Sequence, residues 1–203
     1  MVTLARLWAL YRHNLRLSQE MFTIVSCFEV ALRNAIDSLL VPTLGENWLK
    51  DSVQDNGIFS NGRMNETRKI IEKAYNRLDR QGIYSHSKLI AEMEFGVWKY
   101  MFSSLQYRAT GQCLLRAFPN KPRSSVAVQY NNAYIFNELD KVNSLRNRIA
   151  HHEPICFRLH ASEIDTSYIV NEYQKIQTLF CGWVLIHVQC FMGLTMCKVF
   201  VPR

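Results

Sequence analysis

The spacing of apolar residues over positions 1–45 predicts two helices in succession. A short helix is expected over residues 3–14. A longer one should begin at Ser18, because serine is a favoured N-cap residue and Glu20 follows in the first turn. Pro42 and Gly45 predict the end of this second helix. The apolar faces consist of Leu4, Leu7, Trp8 and Tyr11 in the first helix and of Ile24, Val25, Phe28, Ala31, Leu32, Ile36 and Leu39 in the second.

The middle of the chain alternates polar loops with shorter helices. Residues 51–62 are rich in Asp, Asn, Ser and Gly, which indicates a loop. Residues 65–80 give the clearest amphipathic helix, with apolar side chains on one face and Lys and Arg on the other. Ser85 or Ser87 is expected to cap a further helix that continues through Met93.

A dense aromatic block at residues 95–102 is expected in the core. The two prolines within residues 118–123 predict a sharp loop, because the residue before each proline is disfavoured in the helical region. Another long helix should begin near residues 124–125 and run to about His151, where Pro154 breaks it.

Residues 163–200 predict a long C-terminal helix with a break at Gly182 or Gly193. Within it, residues 179–201 are apolar enough to suggest a membrane span, but they also carry polar side chains that lipid would penalise. These side chains are His187, Gln189, Thr195 and Lys198. We therefore expect a buried helix and no membrane partner.

Composition supports an all-helical protein that binds a polyanion. The chain has only 8 Gly and 5 Pro in 203 residues, too few turn residues for a many-stranded sandwich or barrel. Its formal net charge is +7, and most of the basic excess falls between residues 51 and 123. Nucleic acid is the simplest polyanion partner for such a surface.

The six cysteines contain no Cys-x-x-Cys pair, so neither a zinc knuckle nor a thioredoxin-like motif is available. They are interpreted as buried, reduced thiols. The N-terminal residues lack the apolar core and cleavage site of an export signal. Both features favour a cytoplasmic location.

The helix that ends before Pro154 carries the residues best suited to chemistry. Its apolar stripe consists of Ile135, Leu139, Val142, Leu145 and Ile149. Arg146 falls inside this stripe, and because its guanidinium is always charged it needs an anion, an interface or an opening. Asn147 and Arg148 follow, and His151 and His152 lie at the helix end.

Three ordered blocks of the sequence resemble a known family. The segment Leu145–Pro154 resembles the Arg-Asn-x-x-x-His signature of HEPN domains, and more closely the Abi-like (abortive infection) branch of that superfamily. The blocks Phe28–Ala35 and Phe95–Trp98 look like blocks of the same branch in the same order. An Arg-x4-His pattern alone is weak, but three ordered blocks are more specific, and together the match spans about residues 15–155.

The resemblance implies an all-α, single-domain HEPN-type bundle over residues 1–203. It further implies a homodimeric, metal-independent endoribonuclease without a cofactor, which acts in phage defence or as a toxin. An antitoxin, either RNA or protein, would then be an expected partner. The alternative is a non-catalytic module that binds RNA or a partner protein with the same fold.

The residue types agree with that chemistry. Metal-free RNA cleavage needs a proton carrier near neutral pH and a cation for the phosphoryl oxygens, which His151 and Arg146 can supply. Glu153 stands alone near the motif, so no metal site is expected there. Residues five apart on a helix are turned by about 140°. Either the helix unwinds before His151, or two copies of the motif meet across a dimer axis.

The expected roles are divided as follows. Catalysis is expected from Arg146, His151 and Asn147, and RNA contact from His152, Arg148, Arg33 and Lys73, with Glu29 in a supporting role.

Each of these roles has a structural alternative. A histidine can simply cap a helix C-terminus, and His152 can be a bystander or a second proton carrier. Glu29 and Arg33 can form an ordinary helix pair, or Glu29 can orient Arg146 or a histidine. Lys73 can belong to a solvated face.

Overall fold

The computed structural model describes residues 4–60, 62–157 and 164–179 of the chain. In this part it is an all-α bundle, as predicted, and its only β contact is a single bridge between Phe157 and Ile164. The α-helices are α1 (Leu4–Leu44), α2 (Trp48–Asp51), α3 (Asn65–Arg80), α4 (His86–Glu92), α5 (Phe95–Tyr100), α6 (Ser104–Ala109), α7 (Asn132–Ala150) and α8 (Ser167–Gln177). Two 3-10 turns, Gly62–Met64 and Leu114–Ala117, complete the set.

Helix α1 is one continuous helix of 41 residues, so the predicted boundary at Ser18 is wrong. Ser18 followed by Glu20 is a good N-cap pattern, but no glycine or proline interrupts the chain there and the buried side chains continue in register on both sides. Pro42 lies within the last turn instead of ending the helix. The end is made by Gly45, whose φ of +92° suits glycine and whose N–H donates to the Val41 carbonyl.

The hydrophobic core forms around one face of α1. The fully or nearly fully buried side chains of this face are Leu17, Met21, Val25, Phe28, Leu32, Ile36 and Leu40. Helices α5, α7 and α8 and the turn Leu114–Ala117 pack against it. The aromatic block contributes Phe95, Trp98 and Phe102 to this core, as predicted, whereas Tyr100 stays exposed.

The N-terminal turns of α1 carry large apolar side chains on the protein surface. The exposed members are Leu4, Leu7, Trp8, Tyr11, Leu15 and Phe22. The apolar face predicted for residues 3–14 is therefore present, but it is exposed and does not belong to the buried core of the described residues.

The middle helices follow their sequence signals closely. Helix α3 has the predicted bounds, and the Ser85 Oγ accepts a hydrogen bond from the Lys88 N–H at the start of α4. Residues 52–60 form turns, as predicted. The short helix α2 before them was not predicted. It is held by Trp48, whose indole Nε1 donates to Asp37 Oδ1 at 2.7 Å.

Helix α7 begins at Asn132, seven to eight residues after the predicted start at residues 124–125. The Asn131 side chain caps it by accepting from the Tyr134 N–H. The serines that suggested the earlier start do accept backbone N–H groups, but they close a turn: Ser125 accepts from Val128 and Ser124 from Tyr130. The same cap chemistry therefore serves a loop here.

The predicted C-terminal helix is seen over Ser167–Gln177. Residues 163 and 180–200 of its predicted span, and with them residues 180–201 of the membrane-like stretch, lie outside the described residues. Of the cysteines that are described, Cys156 is buried and Cys27 and Cys113 are half-buried, all as free thiols. Among the described helices, none combines the length and the apolar character needed to cross a membrane.

A buried hydrogen bond connects the N-terminal part of α1 to the segment that follows α7. The Asn14 Oδ1 on α1 accepts from the Ile155 N–H at 2.8 Å, just after the segment that carries the motif. Asn14 is 5% exposed and Ile155 is fully buried. A buried backbone donor without a partner costs about 1–3 kcal/mol, so this bond fixes where residues 151–155 lie.

Asn14→Ala should lower the free energy of unfolding by about 1–3 kcal/mol, because the Ile155 N–H loses its acceptor in a buried place. Asn34→Ala is the matched control, since Asn34 is exposed on the same helix and its loss should change stability by less than about 0.5 kcal/mol. Urea unfolding followed by circular dichroism measures both. Equal stabilities for the two variants would contradict this role for Asn14.

Candidate active site at the end of helix α7

The motif lies on the last turns of α7, and its apolar stripe packs as predicted. All five stripe residues, Ile135, Leu139, Val142, Leu145 and Ile149, are buried. Arg146, next to the stripe, is half-buried, and its Nη1 donates weakly to the side-chain oxygen of the exposed Asn147 at 3.4 Å. The guanidinium therefore lies at the edge of the core with access to solvent.

Helix α7 ends at the two histidines through a regular C-terminal cap. The Glu153 N–H donates to the Arg148 carbonyl and the His152 N–H to the Ile149 carbonyl, which is the hydrogen-bond pattern of a Schellman motif. His152 has a φ of +56°, in the left-handed position that glycine usually occupies. Its backbone thus terminates the helix, while the His151 and His152 side chains are both exposed.

The Arg148 side chain makes contacts within the protein. Its Nη2 donates to the Pro154 carbonyl at 2.5 Å, and its Nε lies 3.4 Å from a Glu153 carboxylate oxygen. Its guanidinium also lies 5.1 Å from the ring centre of Tyr168 on α8. Arg148 therefore fastens the turn after α7 to the next helix.

Helix α1 brings Glu29 and Arg33 to Arg146. Burial raises the pKa of the Glu29 carboxyl above its ordinary value of 4.5, and the positive charges of Arg146 and Arg33 act in the opposite direction. The block around residue 29 and the motif around residue 146 are therefore adjacent in space, although more than a hundred positions separate them in the sequence.

Two features of this cluster were not visible in the sequence. Glu94, just before α5, is close enough to raise the pKa of Glu29 further, so a second carboxylate belongs to the cluster. The Arg33 Nε is buried and has no hydrogen-bond partner within the described residues. A buried charged donor in this condition is costly unless an acceptor reaches it. The "charged cluster" below means Glu29, Arg33, Glu94 and Arg146.

Lys73, the remaining predicted RNA contact, lies away from the motif. It is exposed on α3 and lines a groove of about 940 Å³ between α3 and the segment from α4 to α5. Glu94 lines the same groove. The groove and the charged cluster therefore share one residue.

His, Cys, Asp and Glu side chains in the described ranges form no group of three or more that could hold a metal ion.

Comparison with known proteins identifies the family. The model of the Abi-like protein family matches residues 1–156, about three quarters of the chain. The chain belongs to the Abi-like protein family. Membership suggests a role in abortive infection. No curated protein and no solved structure matches the chain.

Substituting His152 tests whether its backbone conformation is structural. His152→Gly should raise the free energy of unfolding by about 0.5–1 kcal/mol, because glycine adopts positive φ without the cost that an L side chain carries. His152→Val should lower it by about 1–2 kcal/mol. Thermal or urea unfolding checks both, and a His152→Gly protein less stable than wild type would contradict the assignment.

The Glu29 carboxyl predicts a pH dependence of stability. Its pKa is higher in the folded than in the unfolded state, so the folded protein binds more protons just above pH 4.5 and loses stability as pH rises through that window. Glu29→Gln should flatten this part of the profile and leave the protein no less stable at neutral pH. Urea midpoints over a pH series measure it. An unchanged slope in the variant would show that Glu29 does not carry the effect.

Proposed function

We propose that this Abi-like protein is a metal-independent endoribonuclease of the HEPN type that acts in phage defence or as a toxin. The observation that carries the proposal is the position of Glu29 on α1, close enough to Arg146 at the solvent-accessible edge of α7, and to Arg33, for their charges to act on its carboxyl. A guanidinium beside a buried stripe is costly to desolvate, and here the Glu29 carboxyl on another helix partly counters its charge. His151 is exposed at the end of the same helix.

The proposed reaction uses the substrate's own 2′-hydroxyl. This oxygen attacks the adjacent phosphorus, the bond from phosphorus to the 5′ oxygen breaks, and a 2′,3′-cyclic phosphate and a 5′-hydroxyl result. His151 accepts the proton of the 2′-hydroxyl, and water supplies the proton that the leaving oxygen takes up. Arg146 counters the charge that develops on the phosphoryl oxygens.

The residues around Arg146 and His151 have different proposed roles. Asn147 is exposed beside Arg146 and can position a phosphate oxygen. An RNA contact of Arg33 would use the guanidinium nitrogens other than its buried Nε. Glu29 orients Arg146. The contacts of Arg148 and the φ of His152 favour structural roles for these two residues over the substrate contacts first expected for them.

A composite site across a homodimer accounts for the angular mismatch within one chain. Helix α7 keeps helical hydrogen bonds up to His151, so Arg146 and His151 of the same protomer point in different directions. In a two-fold dimer, Arg146 of one protomer and His151 of its partner can both contact the same phosphate. The RNA substrate, the dimer, a cytoplasmic location and an RNA or protein antitoxin all belong to this proposal.

Arg146→Ala and His151→Ala should each lower RNA cleavage by about 10²–10⁴-fold. Wild-type cleavage should persist in EDTA, leave 2′,3′-cyclic or 3′-phosphate ends, and fail on all-deoxy strands. His152→Gly is the matched control, expected to cleave at a measurable rate. Labelled RNA on denaturing gels measures these outcomes, with circular dichroism and sedimentation to confirm fold and association.

Mixing the two inactive variants tests the composite site. A heterodimer of Arg146→Ala with His151→Ala retains one site with both residues intact, so random mixing should restore about a quarter of wild-type activity. No recovery, together with proof of subunit exchange, would place the site within one chain. If the wild type binds RNA but cuts no RNA, and His151→Ala behaves identically, the non-catalytic binding module replaces the nuclease.

A further inference from the structure

The groove between α3 and α5 has the shape and charge of a site for an extended ligand. It measures about 940 Å³, at the upper end of the range for sites that bind small molecules. One wall is the exposed side of α3, with Lys73, Arg77 and Arg80. The other is formed by Glu94, which precedes α5, and by Gly96 and Tyr100 on that helix.

Ion pairs within the protein neutralise two of the acidic residues in this groove and, among the described residues, leave unpaired cations along its α3 wall. Of its acidic residues, Glu92 pairs with Arg77, and Glu66 pairs with Lys69 at 3.2 Å. Lys73 and Arg80 have no carboxylate partner within the described residues, although the Arg80 Nε donates to a carbonyl of its own helix. They are seven residues apart, about 10 Å along the helix, so two phosphates of a chain fit them better than one small anion does.

The second wall offers an aromatic ring beside these cations. Tyr100 is 48% exposed. Its ring is held edge-to-face against Phe136 at 5.7 Å and lies 4.6 Å from the Lys99 ammonium. Cations along a groove with an exposed aromatic ring are the usual arrangement for binding single-stranded nucleic acid, because bases stack while phosphates pair.

Glu94 connects the groove to the charged cluster. It lines the groove and also acts electrostatically on Glu29, on which Arg33 and Arg146 act as well. A strand lying along α3 would therefore pass the end of the groove nearest the charged cluster, where Glu94 lies. An acidic polypeptide could use the cations too, but it would make little use of a stacking surface.

We propose that the groove between α3 and α5 binds the single-stranded segment of RNA that flanks the cleavage site. The inference rests on the proposed nuclease function for the identity of the strand, whereas the groove's affinity for nucleic acid is independent of cleavage. Lys73 and Arg80 contact phosphates, and Tyr100 stacks on a base.

The test measures binding of fluorescein-labelled, single-stranded 2′-O-methyl RNA to the full chain by anisotropy over a salt series. This probe lacks the nucleophilic hydroxyl, so binding is read without cleavage. The double variant Lys73→Ala, Arg80→Ala should weaken binding about tenfold or more. It should also reduce the slope of log affinity against log salt concentration by about 1.4, because each phosphate contact to a single strand contributes about 0.7. Tyr100→Ala should weaken it about tenfold at an unchanged slope.

The matched control is Lys88→Ala with Arg108→Ala, which removes the same charge from exposed positions outside the groove and should leave binding within about twofold. Equal losses in control and groove variants, or no binding by the wild type, would overturn the proposal. So would polyglutamate displacing the RNA from the wild type as effectively as unlabelled RNA does, which would indicate an acidic protein partner. If the wild type binds RNA through the groove but never cleaves RNA, the groove proposal stands and the nuclease proposal fails. If the wild type cleaves RNA and the groove variants cleave it equally well, the nuclease proposal stands and the groove proposal fails.

Discussion

Burial of a single face of α1 is the constraint on which the rest of the structure depends. The helix is about 60 Å long, and the turns between Leu17 and Leu40 are covered by elements from the middle and the end of the chain. Each covering helix is short or amphipathic, so its stability comes mainly from packing, and α1 is the element that α5, α7 and α8 all share. The positions of α5 and α7, and of every side chain they present, follow from this shared contact.

The same contact explains why charges gather where they do. Glu29 and Arg33 lie next to the buried face of α1, and Arg146 lies next to the buried stripe of α7, so packing the two stripes together brings these charges close enough to influence one another at the rim. Burial of Glu29 is unfavourable for its ionised form, as its raised pKa shows. A pair of apolar side chains would serve packing better. The arrangement is therefore more easily understood as a site than as a source of stability.

Sequence reasoning predicted which helix faces are buried more accurately than it predicted where the helices begin. The stripe of α7 and the bounds of α3 were predicted correctly because periodicity reports directly which face is buried. The break at Ser18 and the early start of α7 were wrong because serine side chains make the same local hydrogen bonds in helices, caps and turns. Glu94 could not be assigned, because its approach to Glu29 arises from how α5 packs on α1. The contacts of Arg148 depend in the same way on the path of the chain after Pro154.

The length of α1 also has a consequence for how the protein is made. One of its partners, α7, begins 88 residues after α1 ends. At ordinary synthesis rates, roughly 4–20 s pass between the two on the ribosome. During that time the part of the buried face of α1 that α7 covers stays uncovered, although α5 and the turn Leu114–Ala117 are made earlier, and Arg146 of the charged cluster has not yet been made. Newly made protein is thus most exposed to aggregation, and least able to act, until the last third of the chain has emerged.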